Sequence, residues 1–162
     1  MKRTPIIGVM GGGNADFDTL AKAEKLGGLI AEKGWILLNG GRCVGIMEAT
    51  AKGAFEKGGI TVGILPDSGT EGASQYIRIP IVTGMGHARN TINILSSDVV
   101  VACPGGAGTL SEIALSVKCG KPLILFGFDS SSDLAVLMTN QGMVVAKSPE
   151  EVIEKIEGII NG

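Results

Sequence analysis

Short aliphatic runs alternate with helical patterns along the whole chain. Pro5 to Met10, Trp35 to Leu38, Ile60 to Leu65, Val99 to Cys103, Pro122 to Phe126 and Val144-Val145 are mostly apolar stretches bounded by glycine, proline or polar residues. Runs of this length read as strands buried on both faces. Between them, apolar residues return every three or four positions. Leu20, Ala23, Leu26, Gly27 and Ile30 mark a helix to about Lys33, with Asp16 or Asn14 as cap and Gly34 as stop. Val44 to Lys57 reads as a second helix, closed by Gly58-Gly59. Further helices are predicted over His87 to Leu95, Thr109 to Lys118, and from caps at residues 129–132 to about Asn140. Ser148-Pro149-Glu150-Glu151 is a capping box with proline at the first helical position, and it opens a last helix to about Ile160. Residues 67–75 form a polar loop. Tyr76 to Val82 reads as a strand made edge-like by Pro80.

Alternation of this kind predicts an α/β chain with a three-layer Rossmann-like fold: a mainly parallel sheet with helices on both faces and right-handed crossovers. The length of 162 residues fits one domain spanning 1–162. Ligands in such folds bind beyond the carboxyl ends of the strands, where strand order reverses.

Composition narrows the picture. Apolar residues make up 44% and aromatic residues 4%, so the core must be aliphatic and closely packed. Net charge is −2 with 19% charged residues. No basic stripe exists, which argues against a nucleic-acid partner. Low charge leaves apolar surface for a subunit interface, so a homo-oligomer is expected. Cys43, Cys103 and Cys119 match no zinc or disulfide spacing, and no metal site is expected. The chain enters its first strand at once, and no run approaches the 18 apolar residues of a spanning helix. A cytoplasmic protein without a membrane partner is the expectation.

Glycines gather at strand ends. Three turns, Gly11 to Asn14, Gly40 to Arg42 and Gly105 to Gly108, can converge on one cleft. The third is the most telling. Val99-Val100-Val101-Ala102-Cys103 runs into Pro104-Gly105-Gly106 and then a helix. Strand, glycine turn and helix start together bind phosphate, because small residues let the ligand approach and free N–H groups point outward. The first turn is no dinucleotide fingerprint, since no glycine stands near Asp16 and Asn39-Gly40 replaces a ribose-binding acid. No G-x-x-x-x-G-K-[ST] motif occurs.

Glu112 is the main carboxylate candidate. Thr109-Leu110-Ser111-Glu112 is itself a capping box, so Glu112 is either a helix cap or a cleft acid that the helix terminus keeps ionised. Arg89 starts a helix, where a cation is mismatched to the dipole, which suggests a phosphate or Glu112 as partner. Arg42 has a similar case after Gly40-Gly41. Asn90 and Asn93 are polar on a helix that also carries Ile92 and Ile94.

Pro104-Gly105-Gly106-Ala107-Gly108-Thr109-Leu110-Ser111-Glu112 resembles the P-G-G-x-G-T-x-x-E motif of the proteins long mislabelled as lysine decarboxylases. These include the "lonely guy" nucleoside 5′-monophosphate phosphoribohydrolases. Gly40 to Met47 and Gly86 to Asn90 resemble two further segments of that superfamily. The resemblance implies Arg89 and Glu112 as a catalytic pair that cleaves an N-glycosidic bond to a free base and ribose 5-phosphate, with no added cofactor. It implies phosphate or ligand binding by Gly105, Gly106, Ala107, Gly108 and Thr109. Gly12 and Gly13 of the first turn, and Gly41 and Arg42 of the second, complete the candidate set. Ala107 stands where the hydrolases carry tyrosine or phenylalanine, Arg42 where they carry glycine, and Asn90 where they carry lysine. These departures resemble a sister branch that includes molybdenum cofactor carrier proteins. That branch implies a phosphorylated pterin, held without turnover, in place of a nucleoside monophosphate.

Overall fold

The computed structural model describes residues 3–128 and 143–162. In order, the elements are β1 (Ile6–Met10), α1 (Phe17–Glu32), β2 (Ile36–Asn39), α2 (Gly45–Glu56), β3 (Thr61–Leu65) and β4 (Ile79–Val82). A 3-10 turn (Gly86–Arg89) then runs into α3 (Asn90–Ser96). After it come β5 (Val99–Ala102), α4 (Ala107–Lys118), β6 (Leu123–Phe126), β7 (Val144–Ala146) and α5 (Pro149–Asn161). The helix expected to end near Asn140 lies outside the described residues.

The strands form one sheet in the order β4-β3-β2-β1-β5-β6-β7. Every pairing is parallel, so the expected mainly parallel sheet is wholly parallel. Side chains alternate between two cores. Ile7, Val9, Val99 and Val101 meet Leu26, Ile30, Ile46, Val152 and Ile156 from α1, α2 and α5. Met10, Val100 and Ala102 meet Ile94 of α3 and Ile113 of α4 on the other face. Burial on both faces is why the strands read as continuous apolar runs. Each large aliphatic side chain removed from water contributes about 1.5–3 kcal/mol.

Helix ends follow local chemistry. Asp16 caps α1 by accepting from Thr19 N at 2.7 Å, and Asn14 is left exposed. Ser148 caps α5 by accepting from Glu151 N at 3.2 Å. The Glu151 carboxylate reaches Lys147 N, at 2.7 Å, rather than the cap's own N–H, so the box closes one residue early. The strand expected from Tyr76 begins only at Ile79. Thr61 Oγ1 donates to Tyr76 O at 2.6 Å and accepts from Arg78 N at 2.8 Å, so a side chain holds this approach in place of the ladder.

α1 and α2 touch through glycine. A β-carbon at Gly27 would stand 2.0 Å from Thr50 O, and one at Gly53 would stand 1.8 Å from Glu24 O. Only glycine permits backbones this close. Strand order reverses between β1 and β5, and the turns leaving these two strands flank the crevice that results.

Candidate functional site

Gly12 ties the first turn to the third and to the start of α2. Its N–H donates to Pro104 O at 3.0 Å, and its carbonyl accepts from Ile46 N at 3.0 Å. Gly105 completes the junction, because a β-carbon there would lie 2.1 Å from Thr109 Oγ1 and 2.7 Å from Gly12 N. Gly105 therefore serves the contact between turns. Gly106 is the residue before α4 and offers no capping side chain. The first N–H with an intrahelical acceptor is that of Leu110, to Gly106 O at 3.1 Å. The N–H groups of Gly106, Ala107, Gly108 and Thr109 thus stand at the positive end of a twelve-residue helix without intrahelical partners. α4 starts two residues before the expected Thr109.

Beside these amides lies a cleft of about 190 Å³. Gly12, Gly13, Gly106, Gly108, Thr109 and Glu112 line it. Arg89, His87, Gly40 and Met47 close its other side. Ala107, expected in the ligand set, is exposed and does not line the cleft. Gly41 and Arg42 do not line the cleft. Gly41 is buried with φ +75°, and its N–H donates to Asn39 Oδ1 at 2.8 Å. The left-handed turn there sends Arg42 to Asp67, at 3.4 Å.

Arg89 lies flat against the second turn. A β-carbon at Gly40 would be 2.7 Å from its Nη1. The Arg89 side chain is 12% exposed, and Nη1 stands 4.0 Å from Glu112 Oε1. Nη1 donates to Asn90 Oδ1 at 3.2 Å. Nε is buried with no partner among the described residues. Burial lowers the Arg89 pKa and Glu112 opposes that effect, yet a guanidinium keeps its proton throughout the working range.

Glu112 is 8% exposed. It sits in the second turn of α4, beyond the terminal amides. The capping-box role is not realised. Its Oε1 accepts from Asn93 Nδ2 of α3 at 3.0 Å. Burial pushes its pKa above the ordinary carboxylate range, with Asn93 and then Arg89 pulling the other way. The carboxyl therefore answers to burial, Asn93 and Arg89, and not to the helix terminus alone. A second bridge between the helices runs from Asn90 Nδ2 to Ser111 Oγ at 3.0 Å, and from Ser111 Oγ to Gly108 O at 2.7 Å. It fixes the first turn of α4. Sequence reasoning missed Gly40 as the surface under Arg89, along with His87 and Met47. The doubled glycine of Gly40-Gly41 was the available signal for the first.

Among the described residues, no group of three or more His, Cys, Asp or Glu side chains is placed to hold a metal ion. No described helix is long and apolar enough to cross a membrane.

Known proteins resemble this arrangement over different lengths. The molybdenum cofactor binding protein from the phototrophic bacterium Rippkaea orientalis is 51% identical, covers 99% of both chains and superposes with a TM-score of 0.93. The molybdenum cofactor carrier protein from Chlamydomonas reinhardtii is 43% identical, covers 99% of this chain and 100% of its own, and gives 0.90. A cytokinin riboside 5′-monophosphate phosphoribohydrolase from Rhodococcoides fascians is 34% identical over 67% of this chain and 56% of its own length. The chain therefore spans little more than half of that enzyme. The model of the SLOG cluster4 family matches residues 4–153, and with that match over most of its length the chain belongs to the SLOG cluster4 family.

Proposed function

We propose that the cleft binds a phosphorylated pterin of the molybdenum-cofactor type and returns it unchanged, as a carrier. The observation that carries this reading is the meeting, in one cleft, of Gly106, Gly108 and Thr109, whose N–H groups have no intrahelical acceptor, with Arg89, a largely buried guanidinium whose Nε lacks an acceptor among the described residues. Such a pair matches a phosphate oxyanion in charge and in hydrogen-bond donors. At about 190 Å³ the cleft is smaller than the roughly 300–1,000 Å³ of a whole small-molecule site. It takes the phosphate end, and the remainder of the ligand lies over the rim.

Retention in place of turnover is supported by Glu112. Its Oε1 is already engaged by Asn93 and burial raises its pKa, which leaves it less free to act on a ribose. The likeness to the two molybdenum cofactor proteins also runs over nearly the whole chain. The test is incubation with molybdopterin, followed by native mass spectrometry and recovery of the ligand. A complex that yields intact pterin supports the carrier, and no complex defeats it.

The second reading is a nucleoside 5′-monophosphate phosphoribohydrolase. The observation in its favour is Arg89 lying 4.0 Å from Glu112 beside the phosphate turn. Arg89 would hold the phosphate, and Glu112 would face the ribose and orient water. Release of free base and ribose 5-phosphate from a nucleoside monophosphate, lost in Glu112→Gln, would establish it over the carrier. We also propose a homodimer. The edge strand β4 exposes Ile79, Ile81 and Val82, followed by Met85, and a second copy would cover them. A monomeric mass by light scattering sinks that proposal.

A further inference from the structure

Asn93 is completely buried in α3, yet only one half of its amide is used. Nδ2 donates to Glu112 Oε1 at 3.0 Å, and Oδ1 has no partner among the described residues. A buried acceptor without a donor is unfavourable, and an apolar side chain of the same shape would avoid that loss. Packing therefore gives no reason for an amide here. Its one side-chain contact gives the reason, because the contact falls on the only carboxyl lining the cleft among the described residues. The remaining hydrogen bond near this position is made by the backbone, where Ser97 Oγ donates to Asn93 O at 2.7 Å, so the side chain is free of helix-capping duty.

We infer that Asn93 is a positioning residue for Glu112, whose amide anchors Oε1 and thereby sets the charge that Glu112 presents to the cleft. Other groups around the carboxyl act more weakly or from further off. Arg89, on the 3-10 turn, approaches only to 4.0 Å. His87 lies on the same cleft. Arg42 and Asp67 act on Arg89 from behind. From α4 itself, Thr109 and Ser116 are the neighbouring polar residues, and Ser116 Oγ is spent on the Glu112 carbonyl at 2.7 Å. Of the influences that favour ionised Glu112, the Asn93 hydrogen bond is the larger and Arg89 the smaller. The inference rests on the phosphate-ester reading for its purpose, since the orientation and charge of Glu112 bear on whatever is anchored at the neighbouring α4 amides. Its test needs no ligand, so its failure is separate from failure of that reading.

The experiment follows the side-chain carboxyl carbons of 13C-glutamate-labelled protein by NMR through a pH titration. Glu112 is assigned as the resonance missing in Glu112→Gln. Asn93→Leu keeps the branched shape and removes the donor, and Asn93→Ala replaces it in the titration should the leucine variant fail to fold. The expected result is a Glu112 midpoint raised by about one unit, a tenfold gain in proton affinity, with the other glutamates unmoved. A midpoint that is unchanged or lower in the folded variant overturns the inference, because a merely structural amide would not hold the carboxylate form.

Discussion

Gly40 and Arg89 are in contact through the space where a side chain would begin: a β-carbon on Gly40 would lie 2.7 Å from Arg89 Nη1 and 2.9 Å from Nη2. The guanidinium is thus placed against bare backbone, and its position depends on a residue 49 places earlier in the chain. Gly40→Ala should displace it at small cost to stability, because the obstructed atoms are the far end of a flexible side chain. Binding of a phosphate ester should weaken by about 10- to 100-fold, the loss of one charge-assisted contact of about 1.5–3 kcal/mol. Titration calorimetry with adenosine 5′-monophosphate, beside a melting curve, reads both effects.

Glu112 should make stability fall with rising pH. Its midpoint in the folded protein is raised by burial, so the folded state binds the proton more tightly than the unfolded one. That contribution is fully present below the unfolded value of about 4.3, and is lost as pH rises through the raised midpoint. Glu112→Gln removes the dependence. The variant should melt higher than the wild type at pH 8 and show little difference at pH 4, with roughly 2–4 °C for each kcal/mol. A wild type that gains stability relative to Glu112→Gln on going from pH 4 to pH 8 would contradict this.

The three cysteines should divide into two classes. Cys43 and Cys119 are exposed, and Cys103 is buried. Burial pushes the Cys103 thiol up to about 12. Thiolate is the reactive form, so a disulfide reagent should titrate two thiols in the native protein and the third only on unfolding. Rapid labelling of all three without denaturant would show that β5 opens readily.

Ser148 tests the start of α5. Its hydroxyl satisfies Glu151 N, and Pro149 already fixes the first helical residue. Ser148→Ala should cost about 1 kcal/mol, a fall of roughly 2–4 °C in Tm. Ser148→Asp should retain the wild-type value.

The sheet was legible because both faces of its strands are buried, which leaves unbroken apolar runs. The glycine turn before α4 was legible because Pro104-Gly105-Gly106 breaks an apolar run. The exact start of α4 was not, since Ala107 and Gly108 carry no periodic signal. Arg42 was misjudged because the direction of its side chain depends on the left-handed turn at Gly41, a backbone choice that the sequence permits without requiring. The surroundings of Glu112 were not legible for a different reason. Distance from a helix terminus can be counted along the chain, but burial under α3 and the partner Asn93 come from the crossing of two helices. No spacing encodes that crossing. The short β4 likewise reflects Thr61, a residue of the neighbouring strand.

Locked together at Gly27 and Gly53, α1 and α2 cannot slide past one another, and the turns after β1 and β2 inherit that fixity through Gly12 and Ile46. For anyone wishing to retune this protein for a new ligand, that side is bedrock. Variation belongs on the opposite bank, at His87, Ala107 and Gly108, where the side chains or bare backbone face open solvent. A library confined to those three positions should keep its fold, whereas one that includes Gly27 or Gly53 should yield mostly unfolded clones.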